Sequence, residues 1–167
     1  MDETLIEFVS VNKAFGPHVV LKNMNLKIPR GKITCIIGRS GIGKSVTLKH
    51  IVGLTKADSG EVRFDGRDIG SMGETELYAV RRRMGILFQD AALFDSMTVG
   101  QNVAFPLVEH TDLDGVEIRK IVSEKIKIVG LRDVEKQMPS ELSGGMRKRV
   151  GLARALAPGQ EGAAGRW

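Results

Sequence analysis

One eight-residue segment constrains the fold of this chain more than any other. The pattern G-x-x-x-x-G-K-[ST] is matched by Gly38-Arg39-Ser40-Gly41-Ile42-Gly43-Lys44-Ser45, hereafter the phosphate loop. Ile33 to Ile37, just before the loop, is apolar and β-branched and predicts a buried strand, and Val46 to Leu54, just after it, predicts a helix. A loop between a strand and a helix is the setting in which this pattern binds phosphate, and a glycine turn with a chance lysine is the alternative.

The residues of the phosphate loop have separate expected roles. Gly38, Gly41 and Gly43 allow backbone conformations that other residues disfavour, and the helix N-terminus that follows favours an anion. Lys44 is expected to reach the β- and γ-phosphates of a nucleotide, and the Ser45 hydroxyl to ligate Mg²⁺. The sequence therefore predicts nucleotide binding.

Length and composition place limits on the class of protein. A chain of 167 residues with 42% hydrophobic content can bury one ordinary core, which predicts a single domain. Cys35 has no cysteine partner and falls in the predicted buried strand, so it is expected to pack rather than to react. The N-terminus is acidic and no apolar run approaches ~20 residues, so we expect no signal peptide and no transmembrane helix. A cytoplasmic location is therefore predicted.

The positive charge of the chain has two possible explanations. The net charge is +5 and the pI is about 9.5, which is compatible with a nucleic-acid partner. The basic clusters at 81–83 and 147–149 fall, however, in segments predicted to be helical, and only 5% of the residues are aromatic. Solvated helix faces are therefore the preferred interpretation, and no nucleic acid is expected as a partner.

Hydrophobic spacing predicts alternating strands and helices along the chain. Strands are predicted at Leu5–Val11, Val19–Ile28, Glu61–Phe64 and Met84–Phe88, the last running into Gln89. Turns are predicted at Lys13–His18, Asp58–Gly60 and Asp65–Asp68. Helices are predicted at Glu74–Arg83, Thr98–Val108 and Val116–Val129, the last ending at Gly130.

A second motif lies about 100 residues after the phosphate loop. Leu142-Ser143-Gly144-Gly145-Met146 opens a segment, Arg147–Leu156, that is predicted to be helical. A serine and two glycines at a helix start offer a hydroxyl and free amides to an anion, although a plain N-cap is the alternative. We call Ser143, Gly144 and Gly145 the Ser-Gly-Gly motif.

The phosphate loop, Gln89 after a predicted strand and the Ser-Gly-Gly motif occur in the order found in ATP-binding subunits of ABC transporters, which the chain resembles from residue 5 to 157. The usual motif of that family is LSGGQ, and Met146 takes the place of its glutamine. Segments 77–81, 87–94, 102–107 and 138–146, including this methionine, resemble the Mla-type phospholipid transport ATPases. The resemblance implies an α/β fold of the P-loop NTPase class and ABC type. Such a fold has a parallel core sheet, an antiparallel β arm and a helical subdomain, and here it would be incomplete at the C-terminus.

The resemblance also implies a set of site residues and the cofactors ATP and Mg²⁺. Phe15 would stack on adenine, although a core aromatic is the alternative, and Gln89 would complete the environment of the metal and the attacking water. The implied catalytic residues are Lys44 and Gln89, and the implied metal ligands are Ser45 and Gln89. The implied cofactor-binding residues are Phe15, Gly38, Arg39, Ser40, Gly41, Ile42, Gly43, Lys44, Ser45, Val46, Ser143, Gly144 and Gly145.

Partners follow from the same resemblance. The Ser-Gly-Gly motif would contact ATP held by a second copy, which implies a head-to-tail homodimer with two ATP molecules in its interface. Residues of roughly 90–110 would face a membrane permease, and an Mce-type lipid-binding protein would complete the assembly. The chain would then lie at the periphery of the inner membrane and help to move phospholipid between bacterial membranes.

The sequence departs from the family after Ala157. An apolar strand ending in Asp-Glu, a D-loop and a switch histidine would be expected there. Residues 158–167 are instead mostly small, and their one carboxylate side chain, that of Glu161, has no predicted strand before it. We therefore expect a domain over 1–157 followed by a disordered tail over 158–167, as after a frameshift, a premature end or a partial gene. We also expect ATP binding without turnover. The alternatives are a non-hydrolysing fragment that pairs with an intact subunit, an ATPase for another transport substrate and a nucleic-acid-linked ABC protein.

Overall fold

The structure, a computed structural model, describes residues 3–87 and 91–159. The chain divides into two compact units, the first ending at Arg81 and the second beginning at Arg82. The expected domain end at residue 157 stays a prediction, and most of the expected tail, residues 160–167, lies outside the described residues.

An antiparallel sheet forms most of the first unit. It contains β1 (Thr4–Phe15), β2 (His18–Pro29), β3 (Ser59–Phe64) and β4 (Arg67–Asp68), in the order β2-β1-β3-β4. β1 and β2 are longer than predicted, since Phe15 pairs with His18 across Gly16 and Pro17. The prediction of a turn over Lys13–His18 is therefore wrong at Lys13–Phe15, which continue the strand because β2 offers them backbone partners.

The turn between β3 and β4 follows directly from its two residues. Asp65 has φ 50° and Gly66 has φ 76°, and Phe64 pairs with Arg67 on either side of them. Two consecutive residues with positive φ are the requirement of a two-residue hairpin turn, which Asp-Gly satisfies with little strain. The predicted turn at Asp65–Asp68 is thus shorter, and Arg67 and Asp68 form a strand.

Two short helices complete the first unit. Helix α1 (Lys44–Ile51) begins at the phosphate loop, and helix α2 (Glu74–Arg81) follows the sheet. α1 starts earlier and ends earlier than the predicted Val46–Leu54, and it buries Thr47, His50 and Ile51. The core of the unit is apolar and includes Phe8 and Val11 of β1, Val62 and Phe64 of β3, and Leu77 of α2, all of them buried.

Two segments predicted to be buried strands are not strands in this structure. Residues 33–37 have no strand assignment, and Ile33 is fully exposed while Ile37 is 89% exposed. Cys35 is exposed as well, so the expectation that it packs in a core is wrong. Residues 84–87 are likewise unpaired, and Phe88 lies outside the described residues. A strand needs hydrogen-bonding neighbours, and within residues 3–87 and 91–159 neither segment has them.

Three helices form the second unit, close to their predicted positions. They are α3 (Val99–His110), α4 (Gly115–Ile128) and α5 (Gly144–Leu156), with a short 3₁₀ turn at Pro139–Glu141 before α5. Each helix contacts the other two around a core that includes Val103, Leu107, Ile126 and Val150, all fully buried. α4 ends at Ile128, just before Gly130, whose positive φ stops the helix as the sequence predicted.

Each of these three helices begins at a side-chain cap. Thr98 and Asp114 form reciprocal capping boxes with Gln101 and Glu117, and the Ser143 hydroxyl accepts a hydrogen bond from the Met146 amide. Such caps satisfy amides that have no partner within the helix, which fixes where each helix starts. Of the helices in the part of the chain that the structure describes, none is long and apolar enough to cross a membrane.

Candidate functional site

The phosphate loop lies between an extended segment and α1, and its last glycine is required by packing. Gly43 precedes α1 with φ 103°, and a Cβ there would lie 3.0 Å from the Val20 side chain. A larger residue would need both a disfavoured backbone conformation and a displacement of β2. The Gly43 carbonyl also accepts the Thr47 amide at 2.8 Å, which joins the loop to the first turn of α1.

Lys44 folds back over the phosphate loop. Its ammonium donates to the Gly38 carbonyl at 2.6 Å and to the Arg39 carbonyl at 2.7 Å. The cation is therefore held at the loop by the loop's own backbone. An anion bound by the loop amides and the N-terminus of α1 would therefore lie close to the Lys44 ammonium, and the side chain would need to move little to contact it.

The remaining residues of the phosphate loop are accessible from outside. Arg39, Ser40, Gly41 and Ile42 are exposed, and so is Ser45 in the first turn of α1. Val46 is half-buried in the same turn. Ser45 is therefore free to approach a ligand at the helix start, as its expected role as a metal ligand requires.

Phe15 lies at the end of β1 with 52% of its surface exposed, so it is not a core aromatic. The Lys13 ammonium lies 5.4 Å from the centroid of its ring, and the same ammonium pairs with Asp58 at 2.6 Å. Asp58 also accepts the Ala14 amide at 2.7 Å. These contacts hold the end of β1 in place beside an exposed ring, and stacking of that ring on adenine stays a prediction.

The contacts between Lys13, Ala14 and Asp58 depend on the charge of the Asp58 carboxylate. The hydrogen bond from Lys13, together with the hydrogen bond from the Ala14 amide, lowers the pKa of Asp58 below its usual range. Donors that bind the ionised form favour it over the protonated form. The ionised form of Asp58 is therefore favoured, and this form pairs with the Lys13 ammonium beside Phe15.

The Ser-Gly-Gly motif lies at the start of α5 and is exposed. Ser143 is the N-cap, and its carbonyl accepts the Arg147 amide at 2.9 Å. Within the part of the chain that the structure describes, no atom outside its own chain neighbours and helix backbone lies within 4 Å of a Cβ placed on Gly145, and on Gly144 the nearest is an Arg147 nitrogen at 3.9 Å. Packing among these residues gives no reason for glycine at either position, and contact of the motif with an anion stays a prediction.

Gln89 lies outside the described residues, but the segment that follows it is fixed by two side chains. Asn102 in α3 is fully buried; its amide oxygen accepts the Phe94 amide at 2.8 Å, and its amide nitrogen donates to the carbonyls of Phe94, Met97 and Thr98. Arg154 in α5 donates to the carbonyls of Ala91 and Ala92. Sequence reasoning missed both residues. A polar Asn between Val99 and Val103 on an apolar helix face was the available signal for the first.

Among residues 3–87 and 91–159, no group of three or more His, Cys, Asp or Glu side chains could hold a metal ion.

Comparisons with known proteins agree with this geometry. A family model described as ABC transporter matches residues 21–161. The chain is 50% identical over 157 residues to the intermembrane phospholipid transport system ATP-binding protein MlaF of Haemophilus influenzae, covering 94% of this chain and 60% of that protein. It is 49% identical over 151 residues to the probable ribonucleotide transport ATP-binding protein mkl of Mycobacterium tuberculosis, covering 90% of this chain and 42% of the relative.

Solved structures show the same fold. The dimeric post-hydrolysis state of the ATP-binding cassette MJ0796, bound to ADP and Pi, aligns with a TM-score of 0.84 at 35% identity, covering 92% of this chain and 70% of the other. A cbiO1 structure from Clostridium perfringens aligns with the same TM-score at 31% identity, covering 94% and 62%. The ABC-type fold and the resemblance to phospholipid transport ATPases are thereby confirmed. The chain spans 60% or less of the length of the curated relatives named above.

Proposed function

Since this chain belongs to the ABC transporter family, we propose that it is the ATP-binding part of a transporter subunit and takes ATP with Mg²⁺ at the phosphate loop. The observation that carries the proposal is Lys44, whose ammonium is held on the carbonyls of Gly38 and Arg39 at the start of α1. A cation, glycine amides and a helix N-terminus together form an anion site suited to a polyphosphate.

Each residue of the site then has a role of its own. The amides of residues 38–45 and the Val46 amide face the phosphates, Lys44 neutralises the β- and γ-phosphate charge, and Phe15 stacks on the base. Ser45 and Gln89 would hold the Mg²⁺, which supplies charge neutralisation between the β- and γ-phosphates. Lys44 and Gln89 are the residues of this chain that we assign to catalysis.

A complete site needs two chains. The two glycines of the exposed Ser-Gly-Gly motif have no packing role among the described residues, and we assign the motif to the γ-phosphate of ATP held by a second copy. Support comes from the dimeric state of the similar cassette bound to ADP and Pi. The proposed assembly is a head-to-tail homodimer with two ATP molecules between the subunits.

The transported substrate is proposed to be phospholipid, moved between bacterial membranes with a membrane permease and an Mce-type lipid-binding protein. Support comes from the MlaF relatives of Haemophilus influenzae and Escherichia coli, at 50% and 48% identity. The chain would then act at the cytoplasmic face of the inner membrane. A second candidate is transport of another substrate, because the mkl relative, named for ribonucleotide transport, is 49% identical.

Titration of the purified chain with MgATP tests the binding site. Lys44→Ala should weaken binding by roughly tenfold or more, as expected for loss of a charge-assisted hydrogen bond. Lys49→Ala is the matched control, since Lys49 is an exposed lysine in the last turn of the same helix. Equal affinity of Lys44→Ala and the wild-type chain would reject the site. Phosphate release by the wild-type chain, abolished in Lys44→Ala, would reject the claim of binding without turnover.

Stimulation of the assembled transporter distinguishes the two substrate candidates. If the substrate is phospholipid, the affinity of the complex for MgATP should rise with phospholipid vesicles and not with ribonucleotides. The reverse response would reject phospholipid and favour the second candidate. Neither result tests ATP binding at the phosphate loop. The proposal for the substrate can therefore be rejected while the proposal for ATP binding stands.

A further inference from the structure

A cavity in the first unit is bounded by residues of α1, β3, β4 and α2, among them His50, Val62, Asp68 and Leu77. Its volume is about 240 Å³. One water molecule needs only ~10–15 Å³ of such space, whereas drug-sized ligands occupy sites of ~300–1,000 Å³. The cavity is therefore much larger than a single water and has room for a small organic molecule.

The His50 imidazole lines this cavity and is only 1% exposed. Its Nδ1 lies 2.8 Å from the Val46 carbonyl oxygen in the preceding turn of α1. Because a carbonyl can only accept, Nδ1 carries the proton of this hydrogen bond, and Nε2 of the neutral ring presents a lone pair. Nε2 is buried and has no hydrogen-bond partner among the described residues. A buried acceptor without a partner is costly, so a donor group is expected to reach Nε2 from the cavity.

The polar side chains on the β4 side of the cavity are acceptors as well. The Asp68 carboxylate accepts the Gly70 amide at 3.0 Å and keeps free lone pairs, since an ionised carboxylate can accept at about four sites. The Ser71 hydroxyl donates its proton to the Asp68 backbone carbonyl at 2.9 Å, so it can only accept from a ligand. His50, Asp68 and Ser71 all line the cavity, and all three require hydrogen-bond donors from a molecule within it.

The rest of the lining limits the charge and the shape of that molecule. The positive charge of Lys56 disfavours a cation, and the negative charge of Asp68 disfavours an anion. Val62, Ile69 and Leu77 are buried and offer apolar surface to carbon atoms. Hydroxyl groups both donate and accept, so they can satisfy the acceptors as well as the Lys56 ammonium. A neutral molecule that carries several hydroxyl groups on a short carbon chain or a small ring meets all of these requirements.

We propose that this cavity binds a small polyol, with one hydroxyl group donating to His50 Nε2 and another donating to the Asp68 carboxylate. The apolar carbon atoms of the polyol pack against Val62 and Leu77. None of the described residues that line the cavity belongs to the phosphate loop. Polyol binding therefore does not depend on the proposed binding of MgATP.

The test follows the imidazole nitrogens of the purified chain by ¹⁵N nuclear magnetic resonance in weakly alkaline solution. Glycerol and myo-inositol are the probes, and ethylene glycol dimethyl ether is the control compound, since it is about as large as glycerol but has no hydroxyl group. The resonance of His50 Nε2, assigned by its loss in His50→Phe, should shift saturably with the polyols and stay unchanged with the ether. His18 and His110 do not line the cavity, and their resonances should not move.

One variant and its matched control locate the binding site. Asp68→Asn should weaken the binding of myo-inositol by roughly tenfold, because a charged acceptor oxygen is replaced by an amide group that donates. Glu74→Gln is the control, since Glu74 is an exposed carboxylate in the first turn of α2 and is not part of the lining. It should bind myo-inositol like the wild-type chain. The titration of the wild-type chain needs neither variant, so it tests the proposal even if Asp68→Asn fails to fold.

Three results would overturn the proposal. If His50 Nε2 does not shift with either polyol, the cavity holds only water. If the ether shifts the resonance as much as glycerol does, donation by a hydroxyl group is rejected. If folded Asp68→Asn binds myo-inositol as tightly as the wild-type chain does, the polyol does not contact the Asp68 carboxylate and the assigned site is wrong. The proposed binding of ATP at the phosphate loop stands in each case.

Discussion

Gly145 is a residue whose identity the isolated chain does not explain. It lies in the first turn of α5, its φ is not positive, and a Cβ there would meet open space. Glycine is a poor helix former, so a position that neither packing nor backbone conformation demands is destabilising without a compensating role. The proposed contact with ATP held by a second copy would supply such a role at this exposed helix start.

Gly145→Ala separates stability from association. The free energy of unfolding should rise by about 0.5–1 kcal/mol, because alanine loses less backbone entropy in a helix. Association of two chains in the presence of MgATP should be lost, since the new methyl group occupies the space of the approaching phosphate. Urea denaturation and sedimentation measure the two effects. Gly73→Ala, at the start of α2 where the space is equally open, should leave association unchanged.

Asp58 makes the first unit sensitive to acid. Its folded-state pKa is depressed, so its contribution to stability is present above the unfolded-state pKa of about 4 and is lost as the pH falls through the lower folded value. Asp58→Asn should therefore lower the melting temperature at pH 7, and the difference from the wild-type chain should shrink below about pH 4. A difference that is constant from pH 7 to pH 3 would contradict this assignment. Asp112→Asn, at an exposed aspartate of the second unit, serves as the control.

At the scale of the element, caps and chain partners decide which predicted segments become regular structure. Helices α3, α4 and α5 begin at side chains that satisfy their first amides, and their cores are made by residues within the same unit. The segment at 33–37 has strand-forming residues but no neighbouring strand among the described residues. Helices carry their hydrogen bonds internally, whereas a strand depends on another segment.

Thr98→Ala tests the cap of α3. The Thr98 hydroxyl accepts the Gln101 amide at 3.3 Å, and the Gln101 side chain accepts the Thr98 amide at 2.8 Å. Removing the hydroxyl should lower the free energy of unfolding by about 1 kcal/mol in urea titrations. Ser96→Ala, two residues earlier and exposed, should change it by less than about 0.5 kcal/mol. Equal effects of the two substitutions would show that the capping box contributes nothing.

Ile33 and Ile37 are expected to lower solubility without contributing to the fold. Both are almost wholly exposed, so replacing them should cost no buried apolar area. The double variant with Ile33→Thr and Ile37→Thr should keep the unfolding free energy within about 0.5 kcal/mol and should aggregate less, as light scattering would show. Ile6→Thr provides the contrast, since Ile6 is buried in the same unit and its loss should destabilise. A large loss of stability in the double variant would mean that this segment is packed.

At the scale of the whole molecule, the chain has two separate cores. Phe8 is buried in the sheet of the first unit, and Leu107 is buried in the helices of the second. A core that is closed within its own unit makes that unit's stability depend on its own residues.

Hydrogen exchange of two core variants tests this division. Leu107→Ala should lower the stability of the second unit by about 2–5 kcal/mol and speed exchange in α3, α4 and α5. Phe8→Ala should speed exchange in β1, β2 and β3 instead. Each variant is the control for the other. A uniform rise across both units in either variant would show that the chain unfolds as one cooperative body.

The amino-acid sequence by itself determined those features that depend on neighbouring residues. The phosphate loop with Gly43 and Lys44, the Ser143 cap and the helices of the second unit were predicted from local pattern and spacing, because glycine conformations, caps and helix hydrogen bonds are settled within a few residues. The family of the chain followed from the order of the same motifs and is confirmed by comparison.

Only the tertiary structure decided the features that need residues far apart in the chain. Lys13 binds Asp58, and Arg154 binds the carbonyls of Ala91 and Ala92. No local pattern predicts such contacts, since they depend on which elements pack together. For the same reason the strand predicted at 33–37 was wrong: its composition favours a strand, but hydrogen bonds to a neighbouring strand are what form one.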